Sequence, residues 1–191
     1  MKLGLIALII VGLLVIVGLV FGGSLLGSRN ELVQEREAIK GASAQIDNVL
    51  QRRNDLIPNL VETVKGFAKQ ELAVTDSVTK ARAAMMGAQT QQEKVNADAQ
   101  LTGALSRLMV VVENYPNIKS NENFLRLQDE LSGTENRIAV ERRKYNETVQ
   151  KYNTDIELFP KNIAASFFGF KREDAYFKAD AAAKEVPKVK F

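Results

Sequence analysis

The stretch from Leu3 to Leu26, LGLIALIIVGLLVIVGLVFGGSLL, has no charged side chain and a single polar one, Ser24. At about 1.5 Å per residue such a run reaches roughly 36 Å as a helix, and a bilayer's hydrocarbon core is about 30 Å thick. Signal sequences carry shorter apolar runs of about 7–15 residues, so length favours an uncleaved anchor over a removable signal. The signal reading keeps one support, the small residues Gly22 and Ser24 at the far end of the run. Gly18-x-x-x-Gly22 and Gly23-x-x-x-Gly27 have the spacing that lets two spanning helices approach closely, although glycine is common in spans in any case.

Leu25-Leu26-Gly27-Ser28 has the form of a bacterial lipobox with serine where the lipidated cysteine would stand, and the chain has no cysteine. Comparing basic residues at the two ends, Lys2 and the amino terminus against Arg29, Arg36 and Lys40, does not orient the span. The lipobox form favours an extracytoplasmic domain behind a short cytoplasmic N-terminus. The expected location is therefore a cell membrane crossed once.

Beyond the span about 160 residues remain, enough for one domain with a core of its own. The chain has no histidine, cysteine or tryptophan, which excludes disulfides, the usual zinc sites, thiol nucleophiles and a Ser-His-Asp triad. Carboxylate-only chemistry survives that exclusion, but no pair of acids reads as lying in an apolar pocket. The chain is expected to be non-enzymatic and to need no cofactor or metal. Residues 161–191 hold 7 basic and 4 acidic side chains, leaving 19 of each in residues 1–160, so the net +3 belongs to the tail. A basic tail suits either solvent or an anionic lipid surface. No Arg/Lys stripe with aromatic stacking partners suggests nucleic acid.

The remainder is written in helical periods. Leu32, Ile39, Ala42, Ile46, Val49 and Leu56 form one stripe. Leu60, Val64, Phe67, Val74, Val78, Ala81 and Met85 form the next, with Glu71 its one polar interruption. Pro58 stands between them, and Asn54-Asp55 before it is either the cap of a new helix or a kink in one long helix. The capping strength of Asn and Asp favours a break there. Thr90-Gln91-Gln92-Glu93 is a capping box opening a third helix with Leu101, Leu105, Leu108 and Val112, ended by a turn at Asn114-Tyr115-Pro116-Asn117. A fourth helix is expected from Asn121 to Leu158, carrying Phe124, Leu127, Leu131, Ile138, Tyr145, Val149, Tyr152 and Ile156. Its repeat near 3.5 residues suggests coiled-coil-like packing. The predicted fold is all-α: an anchor over residues 1–28, an antiparallel bundle of about four long helices over 29–160, and a short helix with a basic tail over 161–191. Gly41, Gly66, Gly103 and Gly133 inside these periods suggest close helix approach at those levels, or flexible points.

Two stretches carry a resemblance. One is Gln51-Arg52-Arg53-Asn54-Asp55-Leu56-Ile57-Pro58-Asn59-Leu60-Val61-Glu62-Thr63-Val64-Lys65-Gly66-Phe67. The other runs through Leu127-Gln128-Asp129-Glu130-Leu131, Thr134-Glu135-Asn136-Arg137-Ile138-Ala139, Tyr145-Asn146, Tyr152-Asn153 and Phe159-Pro160. With the span and the closing Pro187-x-Val189-x-Phe191, these resemble the bacterial LemA family over nearly the whole chain. The resemblance implies a membrane-anchored helical bundle without known catalysis. It also implies kinship to a magnetosome-membrane protein implicated in membrane remodelling, and association with a membrane metalloprotease or membrane repair proteins. Some relatives carry a lipobox cysteine at the place of Ser28, so lipidation does not transfer.

Physically, Arg52, Arg53, Asn54 and Asp55 at one helix junction and Glu135, Asn136 and Arg137 midway along the fourth helix are candidates for a polar layer that sets helix register. At least one of Arg52, Arg53 or Asp55 is expected to pair with Glu135, Asn136 or Arg137. The alternative is a partner-binding groove lined by the same groups. Tyr145 and Tyr152 are expected at the core edge with hydroxyls outward, with Asn146 and Asn153 flanking them. Phe167, Phe168 and Phe170 before Lys171-Arg172 either cap the open end of the bundle or dip into a membrane interface. The expected role is a scaffold that binds itself or another membrane protein, with direct lipid binding or membrane remodelling as the second reading.

Overall fold

A computed structural model describes residues 2–68 and 70–177. The elements are α1 (Lys2–Phe67), α2 (Leu72–Gly87), α3 (Gln91–Glu113), α4 (Pro116–Lys119), α5 (Glu122–Asp155) and α6 (Lys161–Phe168). No strand occurs among the described residues. The chain is all-α, as its periodicity predicts. It divides into two compact units, parted between Ala42 and Ser43 on α1 and between Lys144 and Tyr145 on α5; the segment from Ala175 to Phe177 goes with the second unit.

The first unit contains the apolar start of α1. Leu8, Val11, Leu14, Ile16, Leu19 and Val20 are each more than half exposed, from 59 to 74%. A helix apolar on all sides with nothing packed on it is not a globular core helix; its length and hydropathy suit a membrane span. Past Leu26 the character changes within one turn. Leu32 and Ile39 become core, in the same unit as the buried side chains Tyr145, Val149 and Tyr152 of α5, Ile156 just after it, and Ala164 and Ala165 of α6.

The second unit is a four-helix arrangement of α1, α2, α3 and α5. Ser43 bonds Gln91, Asp47 takes Lys94 at 2.7 Å, and Arg53 reaches Asp98, so α1 and α3 run the same way. α2 returns between them, packed on α3, and Arg82 near its end meets Asn54. α5 opposes α3, with Arg142 paired to Asp98. Ile46, Ile57, Leu60, Val64, Val78, Leu101, Leu108, Phe124 and Ile138 are almost fully buried between these helices. Burying each such side chain contributes about 1.5–3 kcal/mol relative to leaving it in water.

The expected break at Asn54-Asp55 is absent, and α1 continues through Pro58 to Phe67. Pro58 has no N–H, so the carbonyl of Asn54 lacks its usual partner one turn on. Arg82 Nε donates to that carbonyl at 2.9 Å, which satisfies it from another helix. The chain breaks instead at residues 68–71. Val64 O accepts from the N–H of Ala68 at 2.8 Å, Glu71 N–H turns back to Ala68 O at 3.0 Å, and α2 starts after Glu71. The break thus falls at the one polar interruption of the stripe.

The capping box of α3 forms as expected: Glu93 N–H donates to Thr90 Oγ1 at 3.2 Å, and Thr90 N–H to Glu93 Oε2 at 2.9 Å. The turn after α3 contains a four-residue helix, α4, with Pro116 in its first turn and Ile118 fully buried. α5 stops at Asp155, three residues before the expected end. α6 is closed by Gly169 at φ 74°, a left-handed conformation that side chains disfavour, and Phe170 N–H caps Ala165 O at 2.9 Å. Close helix approach does not explain Gly41, Gly66, Gly103 and Gly133: a Cβ at any of them would meet nothing within 4 Å. The basic tail from residue 178 on, with the Pro187-x-Val189-x-Phe191 motif, lies outside the described residues.

Candidate functional site

Three core stripes of the second unit are each interrupted by a polar residue: Arg53 on α1, Asp98 on α3 and Thr134 on α5, all 3% exposed. Burying a lone guanidinium would be costly, so its partners decide whether it is tolerated. Arg53 Nη1 donates to Asp98 Oδ1 at 3.1 Å and Nη2 to Thr102 Oγ1 at 3.2 Å, while Nη2 lies 3.0 Å from Glu135 Oε2. Arg142 takes the second carboxylate oxygen of Asp98, and its guanidinium lies over the Phe177 ring, 5.3 Å from the centroid. Two guanidinium groups and two carboxylates therefore form a neutral layer joining α1, α3 and α5. Burial pulls the Arg53 pKa down, and the Glu135 carboxylate opposes that shift.

The other residues singled out in the sequence fall elsewhere. Arg52 makes an exposed pair with Glu130 at 2.8 Å, and Asp55 accepts from Gln51 Nε2 at 2.9 Å on the outer face. Asn54 is buried beside the Arg82 contact. Asn136 and Arg137 face solvent. Arg53 with Glu135 is the pair the structure brings together. Asp98 and Arg142 escaped the sequence reading. Asp98 could have been found, because it stands three residues before Leu101 and seven before Leu105, on the apolar stripe itself. A cavity of about 310 Å³ opens beside this layer between α3 and α5, walled by Leu105, Met109 and Leu131 with Arg53 and Glu135 at its polar end.

In the first unit the second charged group is a cluster. Lys161 Nζ lies 2.5 Å from Asp155, 3.0 Å from Glu31 and 3.3 Å from Glu35, and Lys151 also pairs with Glu35 and with Asp155. A hydrogen bond shared with Glu35, then Lys161 and Lys151, outweigh burial and hold the Asp155 carboxyl well below the usual range. Burial pulls Lys161 down, but Asp155, Glu31 and Glu35 together raise it above the ordinary lysine value. This cluster fastens the start of α6 to α1.

Tyr145 and Tyr152 are not at the core edge: both are 2% exposed. Tyr152 Oη donates to the Lys171 carbonyl at 2.9 Å. Asn153 Nδ2 donates to the Glu173 carbonyl at 2.7 Å and its Oδ1 accepts from Glu173 N–H at 2.9 Å. Adjacent Tyr and Asn thus pin the extended segment after α6 along α5. Phe168 lies under the Arg29 guanidinium and Phe170 under that of Arg36, each 5.5 Å from the ring centroid. Phe167 is 76% exposed, and Lys171 and Arg172 face solvent, the latter paired with Glu157. Ser28, at the lipobox position, is buried within α1. Among the described residues no three acidic side chains are placed to hold a metal ion.

An apolar, exposed helix followed by a charged antiparallel helical bundle defines the class: a membrane-associated all-α protein. A sequence profile of the LemA family matches residues 42–191, and the chain belongs to that family. It is 29% identical to magnetosome protein MamQ 2 of Paramagnetospirillum magneticum, over 92% of this chain and 73% of the relative. Identity to magnetosome protein MamQ of Magnetospirillum gryphiswaldense is 26%, over 83% and 68% of the two chains. Protein LemA of Metamycoplasma hominis is 24% identical, over 85% and 73%.

Proposed function

We propose that this chain is a non-catalytic, single-pass membrane scaffold whose helical bundle assembles with itself or with another membrane protein. The observation that carries the reading is the division of labour along α1. Its first part exposes apolar side chains in every direction, and the same helix then supplies core stripes to both units. The deep charges of the second unit support a holding role, since Arg53, Asp98, Glu135 and Arg142 are spent on one another. Relatives named as magnetosome proteins and as LemA carry no enzyme name, which agrees with binding rather than turnover. A membrane metalloprotease remains the partner that family association suggests.

Crosslinking of the full-length protein in native membranes, followed by mass spectrometry, tests this. The expected result is reproducible crosslinks from α2 and α3 to a second copy or to one integral membrane protein. A monomer without crosslinks to any protein, at native abundance, would refute the scaffold. The lipid-surface reading draws on a separate observation, the exposed Phe167.

A further inference from the structure

We propose that α6 is a second membrane contact: its aromatic end lays Phe167 into the headgroup layer of the bilayer crossed by α1. The inference rests on reading α1 as a span. Ile163 and Phe167 are one turn apart on α6, so they form one row, and they are 37% and 76% exposed. The opposite face of α6, Ala164 and Ala165, is buried in the first unit. Such a helix has one face for protein and one for something apolar outside it.

Position identifies the occupant. The start of α6 is tied to α1 through Lys161 with Glu31 and Glu35, and its end through Phe168 beneath Arg29. α6 therefore climbs along α1 toward the span, and its aromatic end reaches the level of the first charge beyond the apolar run. From Leu26 to Arg29 a helix rises only about 4.5 Å, less than the headgroup layer on one side of a bilayer, roughly 5–8 Å. Leu26 itself is 59% exposed, so the apolar surface of the span runs on toward the Phe167 end of α6. Arg29 lies over Phe168 beside this row and the exposed Lys171 follows it in the chain, where anionic headgroups would meet them. A lipid surface fits the row, its depth and its charged border together.

The chain contains no tryptophan, so Phe167→Trp and, separately, Asn162→Trp and Val15→Trp each give a single emitter in the full-length protein. Each variant is reconstituted into phosphatidylcholine–phosphatidylglycerol vesicles in which some acyl chains are brominated near the headgroup or near the terminal methyl. The expected result is that Phe167→Trp emits to the blue of Asn162→Trp. It should be quenched several-fold more by shallow than by deep bromines, and be shielded from acrylamide. Val15→Trp should be quenched by deep bromines. If Val15→Trp behaves so while Phe167→Trp matches Asn162→Trp in wavelength and acrylamide access, the interfacial helix is refuted and the span survives. If Phe167→Trp is blue-shifted but insensitive to bromines, a protein surface covers the row and the proposal falls. Failure of deep quenching at Val15→Trp removes the span and this inference with it.

Discussion

Replacing Arg82 by alanine removes the donor that satisfies Asn54 O where Pro58 cannot, a bond of 2.9 Å to a residue only 4% exposed. A hydrogen bond with a charged partner contributes about 1.5–3 kcal/mol net, and an orphaned buried carbonyl costs about 1–3 kcal/mol, two descriptions of the same loss. Arg82→Ala is therefore expected to destabilise the protein by about 2 kcal/mol. At this chain length that is a fall of about 4–8 °C in Tm. The discriminating background is Pro58→Ala. Alanine supplies the N–H that proline lacks, so Asn54 O regains a partner within α1 and Arg82 becomes dispensable. In that background Arg82→Ala is expected to cost under about 0.5 kcal/mol, the range of an ordinary surface substitution, leaving a coupling of about 1.5 kcal/mol. Far-UV circular dichroism of the detergent-solubilised full-length protein, over a urea series, measures all four corners of the cycle. Equal costs of Arg82→Ala in the two backgrounds would refute the claim that this side chain is what lets α1 pass through Pro58.

Asp98→Ala leaves Arg53 and Arg142 together without their shared carboxylate and is expected to cost about 3–5 kcal/mol, whereas replacing the whole layer by Arg53→Met, Asp98→Leu, Glu135→Leu and Arg142→Met should recover most of it, both read from urea midpoints. The Asp155 carboxyl has a depressed pKa, so its contribution is present above the unfolded aspartate value and lost as pH falls below about 4. Asp155→Asn should thus cost on the order of 1–2 kcal/mol at pH 7 and progressively less as the pH is lowered from about 4 toward 2, by thermal melts across that range. Gly103→Ala and Gly133→Ala, with open space for the added carbon, should each raise stability by about 0.5–1 kcal/mol in the same urea series.

The helical class was legible because it is a property of spacing: most of the stripe residues of α1, α3 and α5 are buried, although Phe67 at the end of α1 is 46% exposed and the buried Leu50, Ile57 and Val61 lay off the stripes. The Thr90–Glu93 box was legible because both of its partners lie within four residues. What escaped depended on distant partners. Pro58 reads locally as a boundary, and only Arg82, 24 residues later, reverses that reading. Glu71 was visible as an interruption, yet nothing local says that the chain turns there rather than exposing one acid on a helix. Arg53 belonged to a motif, while Asp98 and Arg142 had to be matched to it across three helices. Asn153 looked like a flank residue because its partner, the backbone of Glu173, has no side-chain signature. The exposed pair Ile163 and Phe167 has helical spacing in the sequence, but a core face would have had it too.

Membrane fractionation of the full-length chain tests the account most directly. It predicts that the protein stays in the pellet through an alkaline carbonate wash, enters solution only with detergent, and is released without detergent when residues 2–28 are deleted. Recovery of the intact chain in the carbonate supernatant would contradict the reading of α1 as a span, and with it the scaffold.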